Sequence, residues 1–395
     1  MNLSIKSKCT WAICLIIFVF GNYGCSKPES YIKRDYDGQL AELYKEVGHV
    51  CEIEDPNIFL FGMGNRPKMI YHKGNLYDYF SDSVLVSFPG FLKDSILPSR
   101  YEVLIITKDS VYSITETERG IYINQKPYFE SHEEIRLPEF TEYKYGEVMR
   151  VLLQEILFNI KDGVPYPNIG VRPRPFYRDA AYAAMVLKAT GNEELIKEWV
   201  NSLNSVYDHA RSDNYEESDN LGELLYLCSL FPGEHTDSMI AKVTKEAERI
   251  SKREKGKKYV HGIVDFLHRD VFSTKWLKFG LESNKISSAN WKVPNTFDDY
   301  SDLFWMGKTD INLKLYYIEW NMVRNLGKEV VLYPYIVNAK AHYYHNIEWA
   351  VVNNIRYPLS WEGDVTKSKK INKNSYSHIW AASELFLLLK EYKIK

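Results

Sequence analysis

This chain is short of the features that would mark a nucleic-acid binder, a metal centre or a membrane-spanning bundle. Charge of either sign is nearly balanced, with 50 Lys and Arg against 52 Asp and Glu, for a net charge of −2. Phosphate backbones require a basic surface, so nucleic acid is excluded as a partner. Cysteine is scarce, at five in 395 residues, and none stands at zinc-type spacing from another cysteine or a histidine. Neither a metal nor an organic cofactor is implied. The longest apolar run, Trp11 to Phe20, falls short of the roughly 20 residues that a spanning helix needs. The segment FGMGNRPK at 61–68 has two glycines but no following helix at dinucleotide-binding spacing, so it does not read as a phosphate cradle.

What is present at the N-terminus has an order. Lys6 and Lys8 precede the apolar run, and Gly24-Cys25 follows it, which resembles a bacterial lipoprotein export signal. Residues 1–24 are then a signal peptide, Cys25 carries lipid, and 25–50 form a tether and leading segment. Asn22 and Tyr23 depart from the usual residues before such a cysteine, which keeps cleavage by a general signal peptidase open. The expected location is outside the cytoplasm, on the periplasmic side or the cell surface, with the membrane contacted through the lipid anchor. Loss of 1–24 removes Cys9 and Cys14; Cys51 and Cys228 are left either to pair or to lie buried separately. A mature chain of about 370 residues suggests two domains.

Periodicity divides those domains. From 51 to 140 the chain reads as a small antiparallel β domain: Ile58 to Phe61 is a short buried run, and Tyr101–Thr107, Val111–Thr115 and Gly120–Asn124 are β-branched and aromatic, with Lys108-Asp109-Ser110 and Glu118-Arg119 as turns. From Tyr145 apolar residues recur at steps of three and four, as in Met149, Leu152, Leu153, Ile156, Leu157 and Ile160. Helices are expected at about 178–190, 193–207, 220–231, 236–252, 272–283, 299–308, 338–353 and 376–392. Gly191 should end the first of these and Asn192 cap the next. The stretches 255–270 and 283–296 read as long loops of the kind that often bind ligands.

Helical hairpins recur. YRDAAYAAMVLKATGNEELIKEW at 177–199 and DNLGELLYLCSLFPGEHTDSMIAKV at 219–243 each place acids ahead of an apolar helix, break it, and start another. With TKWLKFGLE, DDYSDLFWMG and YPLSWEGD downstream, residues 141–395 resemble the six-hairpin glycosidase superfamily. The resemblance implies a mainly α member of the α+β class: an (α/α)6 toroid with some outer helices shortened, behind the β domain. It also implies carbohydrate chemistry, with an oligosaccharide or polysaccharide as substrate, although that barrel carries hydrolases, phosphorylases and epimerases alike.

Glycosidic hydrolysis needs two carboxyls across the sugar. Glu217, in YEESDNLG, is the candidate general acid. Glu362, in the late PLSWEG loop, is the candidate base, because glucoamylase-like proteins carry theirs in a late loop. Inverting hydrolysis is the first expectation. Arg178, Asp179, Asp219 and Asp299 are candidates for holding sugar hydroxyls or a substrate carboxylate, and Arg172, Arg174 and Arg178 hint at an anionic sugar. Against this, Asp219 or Asn220 with Glu223 has the spacing of a capping box, and Arg178-Asp179 suits an ion pair at a helix start. Tyr177, Tyr300, Trp305 and Trp361 stand beside these acids and offer flat faces to a sugar, whereas Trp199, Trp276, Trp320, Trp349 and Trp380 read as core. Three other readings stay open: a surface glycan-binding lipoprotein without turnover, an epimerase using paired histidines among His261, His268, His342, His345 and His378, and a purely structural or scaffolding role, favoured if the toroid's pit is filled by side chains.

Overall fold

The computed structural model describes residues 34–46, 53, 55–131, 135–172, 174–211, 215–294, 355–360 and 377–390. Cys25, Cys51, Asp299, Tyr300, Trp305, His342, His345, Trp361 and Glu362, and the helices expected at 299–308 and 338–353, lie outside the described residues. Contacts divide the chain between Arg34 and Asp35; the elements below all belong to the second unit.

The strands form two antiparallel meanders. The first runs β1 (Ile58–Phe61), β2 (Met69–His72), β3 (Asn75–Asp78), β4 (Val84–Ser87), and the second runs β5 (Phe91–Leu97), β6 (Glu102–Thr107), β7 (Val111–Thr117), β8 (Gly120–Ile123), β9 (Lys126–Glu130). Alternation is clean in β6, where Val103, Ile105 and Thr107 are buried and the intervening residues are half-buried. β5 escapes a sequence reading because Lys93 and Asp94 interrupt its apolar pattern. Asp94 nevertheless has a use, since it accepts a hydrogen bond from the Tyr71 hydroxyl at 2.9 Å and links the two sheets.

The FGMGNRPK segment is the joint between the sheets and the helices. Gly62 N–H and Met63 N–H donate to the Glu116 carboxylate at 2.9 and 2.8 Å, and the Arg66 guanidinium pairs with it at 3.0 Å. Successive amides of this kind make an anion-binding nest, here filled by the chain's own carboxylate. Gly62 has φ +111°, and a Cβ there would meet the Pro67 carbonyl oxygen at 2.2 Å, so both conformation and space call for glycine. Gly64 N–H donates at 2.9 Å to the Leu157 carbonyl of the helix behind.

Helix α1 (Tyr36–Glu46) lies where the sequence suggests only a polar lead-in. Tyr36, Leu40, Leu43 and Tyr44 fall on one face and are buried. Gln39 Oε1 accepts from Glu147 N–H at 2.9 Å, at the start of α2 (Gly146–Phe158). α2 is buried along its whole length, as befits a central helix, and its polar side chains are spent on tertiary contacts. Arg150 Nε donates to Ser99 O at 2.8 Å, Gln154 Nε2 donates to Leu60 O at 2.6 Å, and Glu155 accepts from Leu359 N–H and Ser360 N–H at 2.6 and 2.9 Å and from the Ser360 hydroxyl.

The short hairpin β10 (Ile160–Lys161) and β11 (Val164–Pro165) leads to α3 (Tyr177–Thr190), which ends at Gly191 in the left-handed conformation. Asn192 does not cap the next helix with its side chain. Its amide instead brackets Arg136, accepting from its N–H at 2.8 Å and donating to its carbonyl at 2.9 Å. A 3-10 turn, Glu193–Ile196, and a short α4 (Lys197–Ser202) follow, ending five residues before the expected 207. Then come α5 (Asn220–Ser229), α6 (Glu234–Ile250), α7 (Asp270–Ser283) and α8 (Ile379–Leu389). In space α8 packs on both α2 and α3, α3 packs on α5, and α5 packs on α6 and α7. Strand-rich and helical parts share one apolar cluster. Among the described residues no helix is long and apolar enough to cross a membrane.

The expected loop at 255–270 is instead two hairpins. β12 (Ser251–Glu254) pairs with β13 (Lys257–Val260), and β14 (Ile263–Val264) pairs with β15 (Leu267–His268). Their two-residue turns, Lys255-Gly256 and Asp265-Phe266, have positive φ at both positions, the geometry that matches strand twist. Polar composition concealed them. Residues 284–294 are irregular apart from a bridge between Lys258 and Trp291, as the loop reading supposed.

α5 and α7 cross at glycine. A Cβ on Gly222 would lie 2.1 Å from the Trp276 carbonyl carbon, and one on Gly280 would lie 2.5 Å from the Gly222 carbonyl oxygen. Gly222→Ala should therefore force the helices apart and cost about 3 kcal/mol in urea unfolding, without loss of helical signal in the remaining folded fraction. Glu155 supplies a pH signature. Burial raises its carboxyl from an ordinary 4.5 to about 7, against the opposing Ser360 and Leu359 hydrogen bonds. The folded state thus holds this proton more tightly than the unfolded one, and this group's contribution to stability falls as pH rises from 4.5 to about 7 and is flat above. Glu155→Gln should flatten that part of the stability profile, read as urea midpoints across pH 4 to 8 (the range set by roughly that shift).

Candidate functional site

Helix starts gather at one place. Arg178 and Asp179 lie in the first turn of α3, Glu217, Ser218 and Asp219 precede α5, and His378 precedes α8. The N-terminal turn of α7 joins them through a 2.7 Å hydrogen bond between the Ser218 and Ser273 hydroxyls. Each helix start presents the positive end of its dipole and unpaired N–H groups, which is why carboxylates can be drawn together here.

Arg178 is the hub. Its Nε donates to Asp219 Oδ2 at 2.7 Å and its Nη1 to Asp265 Oδ2 at 3.0 Å. Its Nη2 lies 3.4 Å from Glu217 Oε2, and Nε lies 3.8 Å from Glu223 Oε1. Behind it the guanidinium stacks over the Trp380 ring, 5.2 Å from the centroid. Arg211 is a second cation, 2.9 Å from Asp265 Oδ1 and 3.6 Å from Glu217 Oε1, with the Phe266 ring 3.9 Å away on its face. Asp265 N–H donates to Glu217 Oε1 at 2.8 Å, so the tip of the β14–β15 hairpin sits directly on the candidate acid.

Four carboxyls share two guanidinium groups, and burial decides how they respond. Glu223 is pushed well up, first by burial and then by the charge of Asp219, with Arg178 opposing. Asp219 is also raised by burial, with Arg178 and the Glu223 hydrogen bond pulling it back down. Glu217 is raised by burial, lowered by Arg178, and raised again by Asp219 and Asp265. Burying more acids than bases favours protonation over charge. Asp179 faces His378 at 3.8 Å, but burial and the charge of Arg172 push that imidazole down to about 3. It is neutral at physiological pH and the contact is not an ion pair.

Of the residues singled out from sequence, Arg178, Asp179, Glu217 and Asp219 thus come together. Tyr177 is buried: its hydroxyl donates to Ser205 O at 3.0 Å and its N–H to Asp208 Oδ2 at 2.8 Å, which braces the turn before α5 against α3. The capping box has a different form. Asp219 makes no capping hydrogen bond with its side chain, whereas Asn220 Nδ2 donates to Glu223 Oε2 at 3.1 Å. Trp199, Trp276 and Trp380 are buried as core residues, and Trp380 also backs Arg178. Asp265, Arg211 and Trp380 went unnoticed as site residues; only Asp265 had a signal, its place in a stretch read as a binding loop. Cys228 is a free buried thiol, pushed up to about 12 by burial. Among the described residues one set has metal-ligand proximity, His261, His268 and Asp270.

Replacing Arg178 by Met should strand two buried carboxylates, with an expected loss of about 3–5 kcal/mol at pH 7. The loss should shrink below pH 5 (roughly the carboxyl range), where the same acids are protonated and need no cation; urea unfolding at both pH values measures it. No protein-family model, no curated protein and no solved structure matches this chain.

Proposed function

We propose that the chain is an exported, lipid-anchored carbohydrate-active protein whose helical part is an (α/α)6 toroid, and that it hydrolyses glycosidic bonds with inversion, Glu217 acting as general acid and Glu362 as base. The observation that carries this reading is Glu217 itself. It is buried at a meeting point of helix starts, with Arg178 on one oxygen and Asp265 N–H on the other, and burial raises its carboxyl, the direction in which a general acid is tuned. Two further features support it. Ser360, two residues before Glu362 in sequence, accepts from His378 N–H, and His378 lies 3.8 Å from Asp179. Exposed Phe266, packed on Arg211 and near Tyr215, adds an aromatic face at the rim suited to sugar C–H groups. Because Arg178 is already surrounded by carboxylates of the protein, neutral sugars fit the site better than uronates.

A second reading, glycan binding without turnover, is favoured by one observation: both Glu217 oxygens already face donors of the protein, Asp265 N–H on one side and Arg178 on the other. Hydrolysis requires the Asp265-Phe266 tip to lift from Glu217 when sugar enters.

An oligosaccharide panel assayed for released reducing ends separates the two. Glu217→Gln and Glu362→Gln are each expected to lower turnover by about 10²- to 10⁴-fold, with unchanged circular dichroism, and proton NMR of the first product should show the inverted anomer. Full activity in both variants rejects the pair. Binding without reducing ends in the wild type establishes the second reading.

A further inference from the structure

We propose that His261, His268 and Asp270 form a binding site for a transition-metal ion of the zinc, cobalt or nickel kind. His261 follows β13, His268 ends β15, and Asp270 opens α7. The three thus come from the base of the β14–β15 hairpin, where backbone bonds hold them: His261 N–H donates to Ile250 O at 3.2 Å and Arg269 N–H to Gly262 O at 3.3 Å. Each side chain offers one ligand atom, and the three atoms lie within 4.8 Å of one another. Bonds of about 2.0–2.2 Å to a common ion require ligand atoms somewhat closer than this, an adjustment that rotation of partly exposed side chains provides.

The present hydrogen bonds already sort the ligand atoms. His268 Nδ1 faces Gly262 O at 3.2 Å, which fixes it as the donor and leaves Nε2 with its lone pair. His261 Nδ1 is 2.9 Å from Asp270 Oδ2, so these two atoms already lie close enough to ligate one ion, which would take the place of the proton between them. The other Asp270 oxygen, Oδ1, is buried with no hydrogen-bond partner among the described residues. His261 Nε2, the remaining nitrogen, is 2.8 Å from the ammonium of Lys252. An ammonium thus stands beside the same ring, on an exposed side chain, and opposes both a second cation there and the proton that Nε2 carries when Nδ1 binds an ion. The two imidazoles are stacked, with centroids 4.4 Å apart and planes within 13°, so ligation of one ion requires the exposed His268 ring to tilt toward His261. Two imidazoles and one carboxylate select a borderline transition metal over magnesium or calcium, and leave coordination positions open.

The test uses the full-length protein and the metals alone. Isothermal titration with Zn²⁺, and visible absorption on adding Co²⁺, should report one ion per chain at neutral pH that the His261→Ala/His268→Ala double variant does not bind. Each single histidine variant should lose at least roughly tenfold in affinity. Lys252→Met should bind more tightly than the wild type, since an ammonium no longer opposes the ion. Thermal unfolding without metal checks that all variants fold. The proposal is overturned if the wild type takes up no stoichiometric ion at micromolar metal, if the double variant binds as the wild type does, or if Lys252→Met weakens binding.

Discussion

One guanidinium organises this molecule's polar centre. Arg178 stands in the first turn of α3 with Asp219, Asp265, Glu217 and Glu223 around its edge and Trp380 behind its face. No lysine could serve the same purpose, because only a planar, permanently charged group offers several donors in fixed directions to carboxylates on different elements. α5, α8 and the β14–β15 hairpin are all referred to α3 through this one side chain. The geometry thus carries both a structural duty and the chemical potential of the site.

The balance of charge follows from burial. Two guanidinium groups face four carboxyls in a region from which water is largely excluded, and an unpaired buried charge is costly. Burial raises all three of Glu223, Glu217 and Asp219, Glu223 furthest, while Arg178 pulls each of them back down. Helix N-termini converge on the same point and ease the burden. Among the described residues a two-residue turn, Asp265-Phe266, lies upon the cluster through the Asp265 N–H bond to Glu217, with both residues in the left-handed conformation.

A second organising principle is visible on the other side of α2. That helix is buried all round, and its polar residues Arg150, Gln154 and Glu155 reach respectively the 3-10 turn at Pro98–Arg100, strand β1 and the late segment at 359–360. These bonds join residues 51, 94 and 204 positions apart. Glu116 performs the same service within the strand region by filling the amide nest at Gly62 and Met63. Arg150, Gln154, Glu155 and Glu116 are connectors rather than surface remnants, since each bonds a partner distant in sequence.

How much of this was legible depended on the range of the causes. Local patterns carried α2, α3, α5, α6, α7, β6, β7 and β8, because three-four or two-fold spacing of apolar residues records which face is buried. Gly191 marked a helix end for an equally local reason, the left-handed conformation that glycine adopts without strain. Acids at the starts of α3 and α5 could be named from the sequence for the same cause. What it could not reveal was their partners. Asp265, Arg211 and Trp380 reach the cluster through folding of hairpins and helices far apart in the chain, and α1 and the hairpins at 251–268 were hidden by polar residues whose neighbours are supplied in space. Periodicity is a property of one element alone, so the sequence determined the elements and their buried faces; proximity and desolvation are properties of the assembled chain, so only the tertiary structure decided which charges meet and which carboxyls burial raises.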